Sequence, residues 1–279
     1  MNQTPIIALI GPGAMGEAII GGLLRKNIIT PERIRASGPL ATRVEALHER
    51  YGIQPYTDNA QAVQGADMVL LAVKPQKLSR VISGLRGKIS PSAVVLSIIA
   101  GATIQTISEG LQHQAVVRAM PNTPAQIGEG ITVWTVSRYV TPEQMEFSRQ
   151  VLLALGQEVF VEEENYLDMA TALSGTGPAY VFLFMEALID AGVHMGFPRR
   201  IAEQLVNQTI LGSVSYYQKI GGHPAQLRNQ VTSPGGTSAE ALYYLEKAGF
   251  RTAISRAIWA AYERSLELGK GLNSKPPEE

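Results

Sequence analysis

Short apolar runs recur through the first 160 or so residues, at 6–10 (IIALI), 33–37 (RIRAS), 67–73 (DMVLLAV), 93–99 (AVVLSII), 115–120 (AVVRAM), 130–136 (GITVWTV) and 158–162 (EVFVE). Several are apolar at nearly every position, as expected of strands covered on both faces. Between them, helical spacing predicts helices over 14–26, 40–50, 76–86 and 142–155, the last opened by Thr141 as N-cap and Pro142 as first helical residue. Strand alternating with helix predicts an α/β fold with a doubly wound, mostly parallel sheet. After residue 164 the strand signals stop, and helical patterns occupy 165–173, 177–195, 199–220, 236–247 and 251–268. The chain therefore divides into an α/β domain over 1–164 and an all-α domain over 165–279.

Segment 177–193 (GPAYVFLFMEALIDAGV) is apolar nearly all round, so it must be covered on every side. A short helical domain can hardly do that alone. The expectation is packing against a second subunit, with a core helix of the same chain as the alternative. No uninterrupted apolar run approaches the ~20 residues of a membrane span, and the N-terminus lacks a signal-peptide pattern. A soluble, cytoplasmic protein is expected, with the tail NSKPPEE frayed.

Composition narrows the chemistry. The formal net charge is zero, so nothing favours a polyanion such as nucleic acid. The absence of cysteine excludes disulfides, a cysteine nucleophile and thiolate metal sites. The four histidines, His48, His113, His194 and His223, have no partner at ligand spacing, so no metal is assigned.

The first strand runs straight into GPGAMG, with Gly11, Gly13 and Gly16 in G-x-G-x-x-G spacing before a helix. In that setting the motif marks a Rossmann-type dinucleotide site. Gly11 makes the tight turn, Gly13 lets backbone approach a pyrophosphate, Gly16 lets the helix pack on the strand, and the helix start offers amides to the phosphates. Where an NAD-binding fold places an acid after the second strand, this chain reads Arg35-Ala36-Ser37-Gly38-Pro39 and then Thr42-Arg43, with no acid until Glu45. A carboxylate there would repel a 2′-phosphate, whereas hydroxyls and arginine would hold one. NADPH is therefore preferred over NADH, with Ser37, Thr42 and Arg43 as contacts; an exposed helix arginine is the plainer account of Arg43.

Three further loops follow strand ends, the ligand-binding edge of such sheets. They are Ala72-Val73-Lys74-Pro75, the stretch ending Ile99-Ala100-Gly101, and 120–124 with Asn122 and Thr123. Lys74, held between Val73 and Pro75, is a candidate at the reacting centre, or else a solvated lysine. In the helical half, 233–238 (SPGGTS) breaks a helical pattern with Gly235 and Gly236 and then presents Thr237 and Ser238. It is either an anion-binding helix start or a plain turn with a hydroxyl N-cap. LSGTGPAY (173–180) repeats the device, with Thr176 between two glycines, and its alternative is a helix–helix break.

AVKP, MPNTP, LSGTGPAY and SPGGTSAEAL in that order behind G-x-G-x-x-G resemble the pyrroline-5-carboxylate reductase family over essentially the whole chain. The resemblance implies a Rossmann domain joined to an α-helical dimerisation domain, often assembled as a ring of dimers. It implies reduction of 1-pyrroline-5-carboxylate to L-proline, the last step of proline biosynthesis, by hydride from NAD(P)H to the imine carbon. Carried over by motif, Gly11, Pro12, Gly13, Ala14 and Met15 are similar to the pyrophosphate loop, and Ser37 lies where the family meets the adenosine ribose or its phosphate. Asn59 resembles the adenine-side asparagine. Ala72, Val73, Lys74, Pro75, Ile99, Ala100 and Gly101 resemble loops flanking the nicotinamide, and Asn122 with Thr123 the loop beside the reacting carbon. SPGGTS resembles the substrate loop, whose amides hold the carboxylate and whose hydroxyl faces the ring nitrogen. Where the family usually has Thr, two residues after the second glycine, this chain has Ser238, with Thr237 before it.

Two rival readings remain from the residues. One is an NADP-dependent β-hydroxyacid dehydrogenase or broader imine reductase; the former needs a lysine base, and Lys219 and Lys247 lie in no glycine-bounded helix. The other is a non-catalytic NADPH-binding sensor or scaffold.

Overall fold

The structure is a computed structural model that describes residues 5–270. The tail expected to fray lies outside the described residues. Two compact units are present: one takes the chain up to Thr176 and resumes at Ala261, and the other spans Gly177–Ala260.

The first unit is built on eight strands: β1 (Ile7–Ile10), β2 (Ile34–Ser37), β3 (Gln54–Tyr56), β4 (Met68–Leu71), β5 (Val94–Ser97), β6 (Val116–Met120), β7 (Gly130–Val136) and β8 (Gly156–Phe160). Their order is β3-β2-β1-β4-β5-β6-β7-β8. Every pairing is parallel except β6 with β7, so the sheet is mostly parallel as expected. Ile10 lies in register with Ser37 on one side and Leu71 on the other. The loops after β1, β2 and β4 therefore leave the sheet side by side, at the point where strand order reverses, the standard ligand crevice of such folds.

Both faces are covered. Leu9, Ile20, Leu70 and Trp134 belong to one core, and Ala8, Ile10, Leu71 and Ile107 to the other. This double covering explains the unbroken apolar runs. The helices are α1 (Ala14–Arg25), α2 (Ala41–Tyr51), α3 (Asn59–Ala62), α4 (Leu78–Leu85), α5 (Ile104–Leu111) and α6 (Pro142–Leu153). The Thr141 hydroxyl accepts from Gln144 N, the Gln144 side chain accepts from Thr141 N, and Pro142 opens α6, as the sequence predicts. One strand and two α-helices of this unit went unpredicted, as did a short helix over Pro224–Gln230 in the helical part. Strand β3 reads QPY and carries no apolar run. Helix α3 is a single turn, and α5 is a short helix sealed by the Thr103 hydroxyl on Thr106 N.

The helical part comprises α7 (Tyr166–Ala170), α8 (Gly177–His194), α9 (Arg199–Ile220), α10 (Pro224–Gln230), α11 (Thr237–Lys247) and α12 (Phe250–Gly269). The expected interruption near 174–176 is a π-helical turn, Thr171–Gly175, joining α7 to α8. The resulting run, Tyr166–His194, is long and apolar enough by length and composition to cross a membrane. A search for uninterrupted apolar stretches misses it because Glu186 and Asp190 fall inside.

One buried charge organises the first unit. Arg118 on β6 is 2% exposed. Its guanidinium donates to Glu164 Oε1 at 2.9 Å and to Asp168 Oδ1 at 3.1 Å. Ser265 Oγ of α12 donates to the same Asp168 oxygen at 2.7 Å, and Ile104 N at the start of α5 donates to Glu164 Oε1 at 2.7 Å. Removing one partner of a buried pair leaves a charge uncompensated. Asp168→Ala is therefore expected to lower stability by about 3 kcal/mol and Glu164→Ala, whose carboxylate is more exposed, by about 1 kcal/mol. Urea unfolding of the two variants checks the order; equal losses would remove the burial argument.

Candidate functional site

Three glycines shape the loop after β1, each for a different reason. Gly11 has φ +94°, and a Cβ there would lie 2.6 Å from Val73 Cγ1 and 2.9 Å from Val73 N. Its N–H donates to Ser37 O at 2.9 Å, so the turn is tied to the end of β2. Gly16 packs α1 on its strand: a Cβ would lie 2.8 Å from Gly11 O and 3.0 Å from Leu9 Cδ2. A Cβ on Gly13, in contrast, would meet nothing within 4 Å. That open position is also the N-cap of α1 and has no side-chain cap. The first-turn amides, from Ala14 and Met15 onward, lack helical acceptors and sit beside a bare backbone, which suits a pyrophosphate.

A groove of about 500 Å³ opens beside this loop, lined by Gly11, Ser37–Pro39, Thr57–Ala60, Val73 and one face of α4. Ser37 and Asn59 meet there, the Ser37 hydroxyl donating to Asn59 Oδ1 at 2.7 Å. Ser37 is fully buried, and its hydroxyl is engaged on Asn59, which lines the groove beside it. Asn59 opens α3 behind Asp58, whose carboxylate caps Ala60 N at 2.8 Å.

Arg43 is not a free cation. Its Nε donates to Pro12 O at 3.0 Å and its Nη2 to the Glu17 carboxylate. Arg50 and the Tyr51 hydroxyl bind the same carboxylate, at 2.7 and 3.2 Å. Burial alone would raise the Glu17 carboxyl, but Arg43, Tyr51 and Arg50 together outweigh it and hold it below its ordinary value. Burial, reinforced by the Glu17 charge, raises the Tyr51 phenol in turn. Thus Arg43 ties the glycine loop to α1. Sequence reasoning missed this because Glu17 lies 26 residues before Arg43. Thr42 is exposed on the first turn of α2.

The remaining loops of this unit are also held in place. Lys74 is exposed in extended backbone ahead of Pro75, with Ala72 and Val73 partly buried behind it. Ile99 is buried and Ala100 partly exposed. Gly101 has φ +74°, and a Cβ would lie 2.7 Å from Gly269 N, so the end of α12 presses on this loop. The Asn122 side chain accepts from Ile131 N at 3.0 Å and thereby fixes the entry to β7. A Cβ on Gly175 would lie 2.7 Å from Met120 Cε, which places the π turn against the end of β6. Thr176 donates its hydroxyl to Thr171 O at 2.9 Å, so that group is spent on its own turn.

Within the helical unit, Gly235 has φ +70° and Gly236 is the N-cap of α11. A Cβ on Gly236 would lie 2.6 Å from Ser233 Oγ, so this position is closely approached by the loop itself. Thr237 and Ser238 are consequently the first and second residues of the helix, and neither serves as its cap. Among the described residues neither hydroxyl has a hydrogen-bond partner. The loop thus offers first-turn amides and two uncommitted hydroxyls on an N-terminus that favours anions.

Comparisons with known proteins agree with both halves. A family model described as pyrroline-5-carboxylate reductase dimerisation matches residues 164–268, and one described as NADP oxidoreductase, coenzyme F420-dependent, matches residues 6–101. The pyrroline-5-carboxylate reductase of Synechocystis sp. is 43% identical, over 95% of this chain and 98% of that protein. That of Corynebacterium melassecola is 41% identical, over 95% and 98%. The crystal structure of Plasmodium falciparum pyrroline carboxylate reductase with NADP bound has a TM-score of 0.88 at 33% identity, covering 95% of this chain and 98% of that one.

The glycine geometry separates stability from binding. Gly11→Ala is expected to cost about 2 kcal/mol or more, from positive φ plus a backbone clash. Gly13→Ala is expected to melt within a few degrees of the parent yet bind dinucleotide much more weakly. Thermal melts with and without NADPH check both; a Gly13→Ala protein still fully stabilised by NADPH would remove the close-approach role.

Proposed function

The chain belongs to the pyrroline-5-carboxylate reductase family, and from that premise we propose that it reduces 1-pyrroline-5-carboxylate to L-proline with NADPH as preferred cofactor and NADH as the alternative. The observation that carries the substrate side is the bare N-terminus of α11, with amides behind Gly235 and Gly236 and unspent hydroxyls on Thr237 and Ser238. A protonated cyclic imine is already electrophilic at carbon, so no strong protein acid is needed. What the protein must do is hold one carboxylate, orient the ring and hydrogen-bond the nitrogen as it becomes an amine.

NADPH, when bound, supplies the hydride. Gly11, Pro12, Gly13, Ala14 and Met15 hold its pyrophosphate on α1, and Asn59, buttressed by Ser37, serves the adenosine. Ala72, Val73, Lys74 and Pro75 with Ile99, Ala100 and Gly101 flank the nicotinamide, and Asn122 steadies the neighbouring turn. Amides of 235–238 bind the substrate carboxylate, and the hydroxyl of Ser238, with Thr237 as second choice, orients the nitrogen. Thr176 contributes to substrate binding through backbone, since its hydroxyl is committed. Positioning of this kind is worth up to roughly 7–11 kcal/mol in well-oriented systems. Residues 1–164 then form the dinucleotide domain and 165–279 the substrate and dimerisation domain.

The helical unit also points to a second copy of the chain. From Gly177 to Ala260 only Gly192 and Ala202 are buried, while Phe182, Leu183, Leu211 and Trp259 are each at least 60% exposed. A unit without a core of its own requires another surface to cover it. On α8, Glu186 and the Asp190–Arg199 ion pair favour protein over lipid as that cover. A cytoplasmic homodimer, assembled further into a ring, fits this reading.

Purified protein given 1-pyrroline-5-carboxylate is expected to consume NADPH and yield proline, faster than with NADH. Ser238→Ala should lower kcat by about 10²–10⁴-fold with NADPH binding unchanged; undiminished turnover would move the role to Thr237. Absence of turnover from protein that binds NADPH would sink the reductase reading. Leu183→Glu is expected to lower the solution mass measured by light scattering; an unchanged assembly would exclude α8 from the interface.

A further inference from the structure

The adenosine groove contains cations that the glycine loop does not use. Lys77, Arg80 and Lys88 line its α4 side, facing Ser37–Pro39 and the start of α3. Lys77 precedes α4 and Arg80 follows three residues later, so both fall on one helix face, while Leu78 and Leu85 point to the core. The next position on the groove-lining face, Gly84, leaves open space where a side chain would stand. Among the described residues the side chains of Lys77 and Arg80 have no hydrogen-bond or ion-pair partner. The one acid lining the groove is Asp58, and its carboxylate is engaged as the cap of α3. The groove therefore carries a positive excess on the wall where no anion answers it.

The residues that sequence reasoning assigns to a 2′-phosphate are differently occupied. Ser37 is buried on Asn59, and Arg43 neutralises Glu17, an acid placed in the first turn of α1. Freeing Arg43 would break its bond to Pro12 O and leave that acid, beside the proposed pyrophosphate site, with only Arg50 and the Tyr51 hydroxyl, which raises the cost of using it elsewhere. Resting on the reading of the groove as a dinucleotide site, we propose that Lys77 and Arg80 recognise the phosphate on the adenosine ribose and so set the preference for the phosphorylated cofactor. Arg43 acts instead as a positioning residue for the glycine loop, serving both cofactors alike. An ammonium and a guanidinium suit this division, one as a point charge and the other as a planar fork on a phosphate.

The test is calorimetric binding of adenosine 2′,5′-bisphosphate and of 5′-AMP to the full-length protein. The parent should prefer the bisphosphate. The double variant Lys77→Ala/Arg80→Ala should lose about 10-fold or more in bisphosphate affinity and stay within about 2-fold for 5′-AMP. Its salt dependence should become shallower, since fewer phosphate contacts are made. The charge-conserving pair Lys77→Arg/Arg80→Lys should keep the preference, and Arg43→Ala should weaken both nucleotides to a similar extent. The proposal is overturned if the double variant weakens both nucleotides equally or neither, or if Arg43→Ala alone abolishes the preference. Selective bisphosphate binding by a protein that turns over no imine would support it while refuting the reductase reading. Failure of the parent to bind either nucleotide would refute both.

Discussion

A guanidinium that cannot reach water has to be answered by anions, and Arg118 is such a group. Its two carboxylates come from different places, Glu164 ahead of α7 and Asp168 within it. Each carboxylate then recruits one more partner: Glu164 takes the first amide of α5, and Asp168 takes the Ser265 hydroxyl of α12. One buried charge thereby draws four separate stretches of chain to the middle of the sheet. The consequence for the site is local and steric. With Ser265 fixed, the end of α12 lies on Gly101, where the two glycines approach so closely that neither tolerates a Cβ. The loop proposed to flank the nicotinamide thus inherits its position from a buried ion pair on β6 and α7.

Most of this unit was legible because its physics is local. Strands covered on both faces need apolar residues throughout, and the runs at 67–73 and 93–99 contain β4 and β5. The G-x-G-x-x-G loop was legible in the separate reasons for Gly11 and Gly16, since each is a steric demand on one residue, while Gly13 stands open at the start of α1. The misses share the opposite character. Strand β3 is held by pairing with β2 rather than by its own pattern, and α5 is sealed by the Thr103 hydroxyl and by Glu164, 60 residues on from Ile104. The fate of Arg43 depends on Glu17, and that of Ser37 on Asn59; no spacing rule links such pairs. Charges visible in sequence are donors only until a partner is found.

The two hydroxyl motifs show how much a single register decides. Thr176 and Ser238 each follow a glycine-rich break, and the sequence treats them alike. In the structure Thr176 closes a π turn and gives its hydroxyl to Thr171 O, whereas Gly236 takes the cap of α11 and leaves Thr237 and Ser238 inside the first turn. A glycine cap gives up only a few tenths of a kcal/mol relative to serine. For that small loss the helix start keeps two hydroxyls and its amides available, which suits the anion and nitrogen site proposed for it without a titrating group.

The shortage of core in the second unit links the proposed assembly to the proposed substrate loop. The unit from Gly177 to Ala260 carries the α11 loop, yet buries almost nothing by itself. Its α10 and α11, of 7 and 11 residues, are too short to persist alone, and helical stability in proteins comes mostly from packing an apolar face. If a second chain supplies that packing, the rigidity of the loop at 233–238 depends on protomer concentration, as for any obligate dimer. The dinucleotide unit has its own two-sided core and needs no such help. Dilution should therefore weaken the substrate side before the cofactor side, because the loop proposed to bind substrate belongs to the unit that lacks a core.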